Sequence, residues 1–303
     1  MIAVPMPSHA SARAALVSLL LAALAGIGAA RAHDFTILPA TSRPAPDVEF
    51  ALGMWVGAVF PGEPVPWRTG HVTEMAIVDA RGRRDIETPE LDGQPPRARL
   101  RLRAPGTAIV ALATDPSYIT IEAPEFTAYL EEEGHETALA ARRDGARGTA
   151  PGKERYTRHV KTVLNGGGPG SSVALTRIGL TLEIVPEKDL AGLRPGDALP
   201  VRVFFRNAPS AHGAICASDA ADLTPRPDGS AHDTGAAPGK GKGPYAWCAR
   251  LDGAGRASVP LPRPGWQMLR TTRMVAVRDD PKADWHSYWS SLTFEVAAPE
   301  EGK

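Results

Sequence analysis

The sequence predicts an all-β fold of the sandwich type. Glycine and proline contribute 30 and 29 of the 303 residues, and such a composition is typical of many short strands joined by turns. In several segments between Gly/Pro turns, apolar side chains recur at every second position, as a half-buried sheet face requires. Turn signals about every 8–12 residues favour a sandwich.

Residues 1–32 have the three parts of a secretory signal peptide. Arg13 supplies a positive charge, residues 14–30 are uncharged and rich in leucine and alanine, and Ala30-Arg31-Ala32 matches the A-x-A cleavage pattern. The alternative is a retained membrane anchor, for which this apolar run is at the lower length limit. Cleavage after Ala32 would make His33 the first residue. We therefore expect a periplasmic protein that does not itself span the membrane.

The charge balance argues against nucleic acid as a partner. The chain has 34 basic and 34 acidic side chains. Removal of the leader takes away Arg13 and Arg31, so the remainder is slightly acidic. Nucleic-acid-binding domains usually carry a basic face instead.

Residues 33–122 are predicted to form an N-terminal β-sandwich lobe. The segment "VEFALGMWV" is a short, mostly apolar run, and "HVTEMAIVDARG" alternates two sets of side chains before a turn. The segment "ARLRLRAPGTAIVALAT" alternates leucine with arginine, turns at Pro105-Gly106 and continues as an apolar strand.

Residues 123–172 are predicted to form a helical and loop connector. Pro124 can open a helix, and Phe126 and Leu130 share one helical face with Tyr129. Gly134 divides the helical part, residues 124–143, into two short pieces. The next segment, "ERYTRHVKTVL", fits both helical and strand periodicity, so both interpretations stay open.

Residues 173–303 are predicted to form a C-terminal β-sandwich lobe. The segments "LTLEIVPEKD", "DALPVRVFF" and "SLTFEV" all alternate apolar side chains with others. Cys216 and Cys248 flank a Gly/Pro-rich insert at residues 217–247. In an oxidising compartment an isolated cysteine pair is expected to close a disulfide, with free thiols as the alternative.

An ordered set of segments resembles a known family. These are "AHDF", "FPGEPVP", "AYLEEEG", "ERYTRHVKTVL", "VPEKDLAGLRPGDALPVRV" and "ADWHSYWSSLTFEV". They are similar to an uncharacterised periplasmic domain-of-unknown-function family that is grouped with the periplasmic (NikM-like) domains of nickel and cobalt uptake transporters. The chain departs from that family in its Gly/Pro-rich insert.

A second resemblance concerns the C-terminal half. The segment from "RNAPSAHGAICAS" to "DGAGRASVPLPRPG" resembles a transthyretin-like or carboxypeptidase-regulatory-like immunoglobulin module. Together the two resemblances imply two immunoglobulin-like β-sandwich lobes and a role in metal uptake.

His33 is the leading candidate metal ligand. After leader removal it would offer an α-amine and a ring nitrogen to one ion, and imidazole suits nickel, copper and zinc. His286 is the second candidate, since Asp284 could orient its ring; the alternative is a packed aromatic corner. His71 is the third, with a strand-end histidine as the alternative.

For His159, His135 and residues 131–133 we expect structural rather than metal-binding roles. His159 lies among basic side chains that disfavour a cation, so a surface or hydrogen-bonding role is expected. His135 and residues 131–133 are expected to be solvated at a helix end.

The sequence therefore favours a non-enzymatic periplasmic accessory that binds or hands over nickel, cobalt or copper, in partnership with a membrane transporter or envelope protein. The motifs G-x-S-x-G and H-E-x-x-H are absent from it. The main alternative is a metal-free immunoglobulin-like module that docks to an envelope partner. A copper-dependent, carbohydrate-active enzyme ranks third.

Overall fold

A computed structural model describes residues 33–65, 70–86, 98–144, 148–167, 171–211, 213–220, 224–225, 231–232 and 245–299. The predicted signal peptide, residues 1–32, lies outside the described residues, as does most of the insert at residues 217–247. In the described ranges, no helix is both long and apolar enough to cross a bilayer.

Eight strands come first along the chain. They are β1 (Asp34–Pro39), β2 (Glu49–Gly57), β3 (Glu63–Pro64), β4 (Val72–Asp79), β5 (Gly82–Asp85), β6 (Ala98–Arg101), β7 (Thr107–Thr114) and β8 (Ser117–Ile121). Two helices and a long strand follow: α1 (Ala123–Glu132), α2 (Glu136–Arg143) and β9 (Gly152–Asn165).

The rest of the chain is again β-structure after a 3-10 turn at Ser172–Leu175. Its strands are β10 (Leu182–Pro186), β11 (Ala198–Phe205), β12 (Ala208–Pro209), β13 (Ala214–Ala220), β14 (Thr224–Pro225), β15 (Ala231–His232), β16 (Trp247–Arg250), β17 (Arg256–Pro260), β18 (Gly265–Ala276) and β19 (Trp285–Val296). The predicted all-β class, with a short helical excursion, is confirmed.

A central sheet connects the two halves of the chain. Its strand order is β16-β13-β18-β19-β9-β7-β4-β5, with β8 also paired to β9. The halves join where β19 pairs in parallel with β9. The central sheet therefore contains strands from both predicted lobes, while the lobe boundaries at residues 122 and 172 stay predictions.

Smaller sheets cover opposite faces of the central sheet. Along β19, Leu292 and Phe294 pack in the core formed with β10, β11 and β17. The alternating Ser291 and Thr293 donate hydrogen bonds to backbone carbonyls of β1, at 2.7 and 3.0 Å. Since successive strand residues point to opposite faces, the sheet of β10, β11, β12 and β17 lies on one side and that of β1, β2, β3 and β6 on the other. The arrangement is sandwich-like in both halves.

The ambiguous segment "ERYTRHVKTVL" is a strand within β9. Its neighbours cover both faces, so Val160 packs in the core with β1 and β2 while Val163 packs in the core with β10 and β11. A strand buried on both sides loses the simple alternation of a half-buried strand. This explains why its periodicity did not separate strand from helix.

The predicted disulfide between Cys216 and Cys248 is present. The two cysteines are direct cross-strand partners of β13 and β16. The bridge therefore fastens β16, the strand at one end of the central sheet, to its neighbour.

Replacing both cysteines with serine is expected to lower the free energy of unfolding by about 2–4 kcal/mol. The bridge closes a loop across a sequence separation of 32, so its removal mainly releases conformational entropy of the unfolded chain. Urea unfolding of the oxidised protein and the double variant measures this loss. Reduced wild-type protein should unfold like the double variant; equal stability of the oxidised protein and the double variant would contradict the prediction.

Candidate functional site

The structure places the leading metal candidate, His33, at an exposed position just before β1. Arg158 donates a hydrogen bond from Nη1 to the backbone carbonyl of His33 at 2.9 Å. The neighbouring Asp34 is buried and accepts a hydrogen bond from Arg270 at 3.0 Å. The ring of His33 is thus open to solvent, whereas the adjacent carboxylate is already engaged.

Both ring nitrogens of His286 are engaged. Nδ1 accepts a hydrogen bond from Arg155 Nε at 3.1 Å, and Nε2 lies 3.2 Å from the hydroxyl of Thr157. The buried ring stacks on Tyr288 with 4.0 Å between ring centroids. Of the two interpretations, this geometry matches the packed aromatic corner.

The third candidate, His71, lies at the turn before β4, where its carbonyl accepts the Asp115 N–H at 2.8 Å. Across the described ranges, no three His, Cys, Asp or Glu side chains are grouped so that they could hold a metal ion. The metal role of His33, His71 and His286 therefore stays a prediction.

A buried histidine pair lies on the face of the central sheet toward β11. His159 Nε2 and His286 Nε2 each lie 3.2 Å from the Thr157 hydroxyl. Burial lowers the pKa of His159 to about 4, with repulsion from His286 adding to it. Burial likewise lowers the pKa of His286 to about 4, assisted by Arg155 and Arg206. His159 is thus hydrogen-bonded and neutral at pH 7; the surface alternative is wrong.

Acidification is expected to destabilise the protein partly through His159. A histidine whose pKa is lowered by folding contributes stability that is complete above its unfolded value, about 6.5, and is lost as the pH falls toward the folded value. For each such histidine, the free energy of unfolding falls by at most about 1.4 kcal/mol per unit decrease in pH. Urea unfolding between about pH 7 and pH 4.5 measures it. His159→Gln should flatten the profile; an unchanged profile would contradict the assignment.

A buried ion cluster lies on the opposite face, between β18, β1 and the end of α1. Arg270 bonds the Glu133 carboxylate through both terminal nitrogens, one of them at 2.7 Å, and Asp34 through Nε at 3.0 Å. Burial opposes the charge of Arg270, but Glu133 and Asp34 outweigh it and raise the pKa of Arg270 well above its usual value. Trp289 and Tyr245 flank the guanidinium at 5.0 and 4.8 Å.

Glu133 is therefore buried and charged, and the expectation that residues 131–133 form a solvated face is wrong for this residue. Burial alone would raise the pKa of Glu133, yet the charge and hydrogen bonds of Arg270 lower it. The Thr272 hydroxyl also donates to Glu133 at 3.1 Å. The sequence holds one signal for this cluster, an arginine inside the otherwise mostly uncharged β18.

A second buried carboxylate, Glu154, lies beside this cluster. It accepts hydrogen bonds from the Ser287 hydroxyl and, at 3.4 Å, from the Tyr129 hydroxyl. Burial nevertheless raises the pKa of Glu154 to about 7. The Tyr129 ring stacks on Trp289, which links Glu154 to the Arg270 cluster.

A polar cleft opens next to the ion cluster, where β18 extends beyond the start of β13. It offers about 90 Å³ to solvent, several times the roughly 10–15 Å³ that one water needs. The cleft is lined by Gly134, His135, Glu136, Thr137, Ala138, Ala211, Gly213, Arg250, Leu251, Thr272, Arg273 and Met274.

His135 lies in this cleft and is mostly buried, so the expectation of a solvated side chain is wrong. Its Nε2 lies 3.4 Å from the Thr272 hydroxyl. Burial lowers the pKa of His135 to about 4, although the nearby Glu133 partly offsets this effect. His135 is therefore a neutral ring at pH 7.

These features define a β-sandwich protein with a buried polar layer on each face of its central sheet and a polar cleft beside one layer. The chain belongs to a family described as a domain of unknown function, DUF4198, whose model matches residues 30–274. Nothing in this match refers to nickel or cobalt transporters or to transthyretin-like modules.

Among solved structures, the chain is similar to the D0-D1 domain of Intimin. The alignment covers 86% of this chain and 97% of the other, with 11% sequence identity and a TM-score of 0.19. A likeness this weak carries no argument about function. No curated protein sequence matches the chain.

Proposed function

We propose that this protein is an exported, non-enzymatic module that docks to a cell-envelope protein through strand β8. The observation that carries the proposal is the exposure of apolar side chains on an open strand. In β8, Tyr118 is 50% exposed and Ile119 36% exposed. Large apolar groups on an open strand are unusual unless the strand pairs with another chain.

The open edge of β8 results from the length of β4. Strands β7 and β8 both run opposite β9. Strand β4 pairs with β7 only as far as Val72, opposite Thr114, and in the described part of the chain β8 pairs only with β9. An extended segment of a partner could add to this edge by backbone hydrogen bonding.

The non-enzymatic part of the proposal is supported by the ion pairs that the buried charged side chains form. In the interior, Arg270 pairs with both Glu133 and Asp34, and Lys161 pairs with Glu183. Groups saturated in this way stabilise the fold rather than face a substrate. Export is supported by the leader pattern of residues 1–32 and by the disulfide, which is typical of oxidising compartments.

Site-specific photo-crosslinking in whole cells tests the docking surface. A photoreactive amino acid at Ile119 is expected to give one discrete adduct with an envelope protein. The matched control is Ser258, an exposed polar residue of β17, which has the same length as β8 and, among the described residues, also pairs with one strand. Ile119→Lys should abolish co-purification of that partner and Ser258→Lys should not. Identical adducts from both positions, or none from Ile119, would overturn the proposal.

A divalent-metal accessory role is the second candidate, and the exposure of the His33 ring favours it. This role requires cleavage after Ala32, so that the α-amine and ring of His33 form a nitrogen chelate for nickel, cobalt or copper. A protein with one extra N-terminal alanine lacks that chelate. It should bind these metals more weakly than the mature protein, and equal affinities would remove His33 from the hypothesis.

A further inference from the structure

Two arginines lie next to Tyr288 on the β11 side of the central sheet, the side that also holds the buried histidine pair. Arg273 of β18 is the direct cross-strand partner of Tyr288 in β19, and such partners project from the same face of a sheet. The Tyr288 ring packs in the core with β10 and β11. Arg206, in the turn between β11 and β12, donates a hydrogen bond from Nη2 to the Tyr288 hydroxyl at 3.1 Å. We call Arg206 and Arg273 the arginine pair.

The Phe205 ring brings the two guanidinium groups of the arginine pair together. The guanidinium carbon of Arg206 lies 5.0 Å from the centroid of this ring, and that of Arg273 lies 5.8 Å from it. Phe205 in turn packs edge-on against Tyr288, with 5.0 Å between the ring centroids. A cation–π contact attracts the charge and does not require the N–H donors. Most donors of the arginine pair are therefore left for a ligand.

The arginine pair carries two charges that no acid neutralises within the described part of the chain. Neither arginine has a carboxylate at ion-pair distance there, and the buried Nε of Arg273 has no hydrogen-bond partner. Arg155 on the same face differs, because it pairs with Asp280 at 3.0 Å. Burial lowers the pKa of Arg273, and no acidic side chain offsets this effect. An unsatisfied buried donor and two like charges beside one ring are both costly.

The backbone of Arg206 adopts a conformation that disfavours its side chain. Its φ is +49° and that of Asn207 is +67°, and these two residues form the turn between the paired Phe205 and Ala208. Two-residue turns with positive φ values favour Asn, Asp and Gly, so Asn207 suits its position and Arg206 does not. Local conflicts of this kind are typical of functional sites. Here the conflict places a guanidinium 5.7 Å from the Tyr288 ring centroid.

We propose that the arginine pair binds a phosphate group, with Tyr288 as a positioning residue for Arg206. Guanidinium N–H donors match the oxygens of a phosphate. A phosphate monoester carries about 1.5–2 negative charges at pH 7, so two uncompensated cations match it better than they match one carboxylate. Arg206 is exposed and Arg273 partly exposed, so a small ligand can reach both. The site contains no residue of β8 and does not depend on docking there.

NMR titration of the wild-type protein at about pH 7 and constant ionic strength tests the site. Glycerol phosphate and inorganic phosphate are added separately, and acetate provides the singly charged comparison. A phosphate compound is expected to shift the Tyr288 ring and Arg206 amide signals saturably, with acetate binding more weakly; the tighter of the two phosphate compounds shows whether the ligand is an ester or the free ion. Absence of saturable shifts with both phosphate compounds, or equal binding of acetate, would overturn the proposal.

Substitutions in the arginine pair test the two binding residues directly. Because hydrogen bonds to charged groups are the stronger class, Arg206→Gln and Arg273→Gln should each weaken phosphate binding at least about tenfold. Arg206→Lys keeps the charge and loses the planar fork, so an intermediate affinity is expected. If Arg273→Gln does not fold, the variants of the exposed Arg206 and the wild-type titration decide the outcome.

Arg202→Gln is the matched control, because it removes an arginine of β11 from the other face of that strand. The Arg202 guanidinium lies 5.3 Å from the Phe204 ring centroid, and successive strand residues point to opposite faces. The control should change phosphate affinity less than about threefold, since salt screens charges outside the site. A loss as large as that of Arg206→Gln would show a general charge effect and contradict the assignment.

Discussion

Replacing Arg270 with methionine is expected to lower the free energy of unfolding by about 3–5 kcal/mol at pH 7. The substitution leaves the carboxylates of Glu133 and Asp34 buried without their shared cation. Methionine fills much of the volume of the arginine stem, so the loss reports charge rather than a cavity. Urea unfolding measures it. Arg250→Met, which breaks the exposed pair with Glu136, should cost less than about 1 kcal/mol.

The pH dependence of this variant provides an independent check. In the wild type the pKa of Glu133 is lowered, so its contribution is present above the unfolded value of about 4.3 and is lost as the pH falls through the folded value. Without Arg270, burial would raise the pKa of Glu133. Acidification would then protonate Glu133 and remove the energetic cost of burying its charge. The difference in the free energy of unfolding between the wild type and the Arg270→Met variant should therefore narrow between about pH 7 and pH 4. A difference that does not change with pH would show that Glu133 is not the affected group.

The strands and the disulfide could be predicted because their signals are local. Alternation in β4, β11 and β19 and the proline in the first turn of α1 each lie within a short stretch of sequence, and the two cysteines of the chain allow one pairing. Tyr129 and Leu130 were placed correctly on the buried face of α1 for the same reason.

The candidate site could not be predicted because its contacts join distant parts of the chain. Glu133 follows two other glutamates, a pattern typical of a solvated face, and its partner Arg270 is 137 residues away. The parallel pairing of β19 with β9 brings these parts together, and no local pattern encodes such pairing. His135 is buried by the same assembly, although its neighbours in sequence are polar.

The second substitution with a large expected effect on stability replaces Lys161, which pairs with Glu183. This ion pair joins β9 of the central sheet to β10. Both residues are 1% exposed, and Lys161 Nζ lies 2.9 Å from Glu183 Oε1. Lys161→Met is expected to lower the free energy of unfolding by about 3–5 kcal/mol, because Glu183 would remain buried without its cation. Chemical unfolding measures this loss. Lys188→Met, at the exposed pair with Asp197, should change stability by less than about 1 kcal/mol.

A double-mutant cycle separates the charge of Glu183 from its other contacts. Glu183 also accepts the backbone N–H groups of Ile178 and Gly179, at 2.9 and 3.2 Å, and glutamine keeps an acceptor for one of them. Lys161→Met combined with Glu183→Gln removes both charges, so it should be less destabilised than the sum of the single variants. Additive losses would mean that the two charges do not stabilise each other. In that case the pair would only fill space between the sheets, and the contacts of Glu183 with Ile178 and Gly179 would carry its whole contribution.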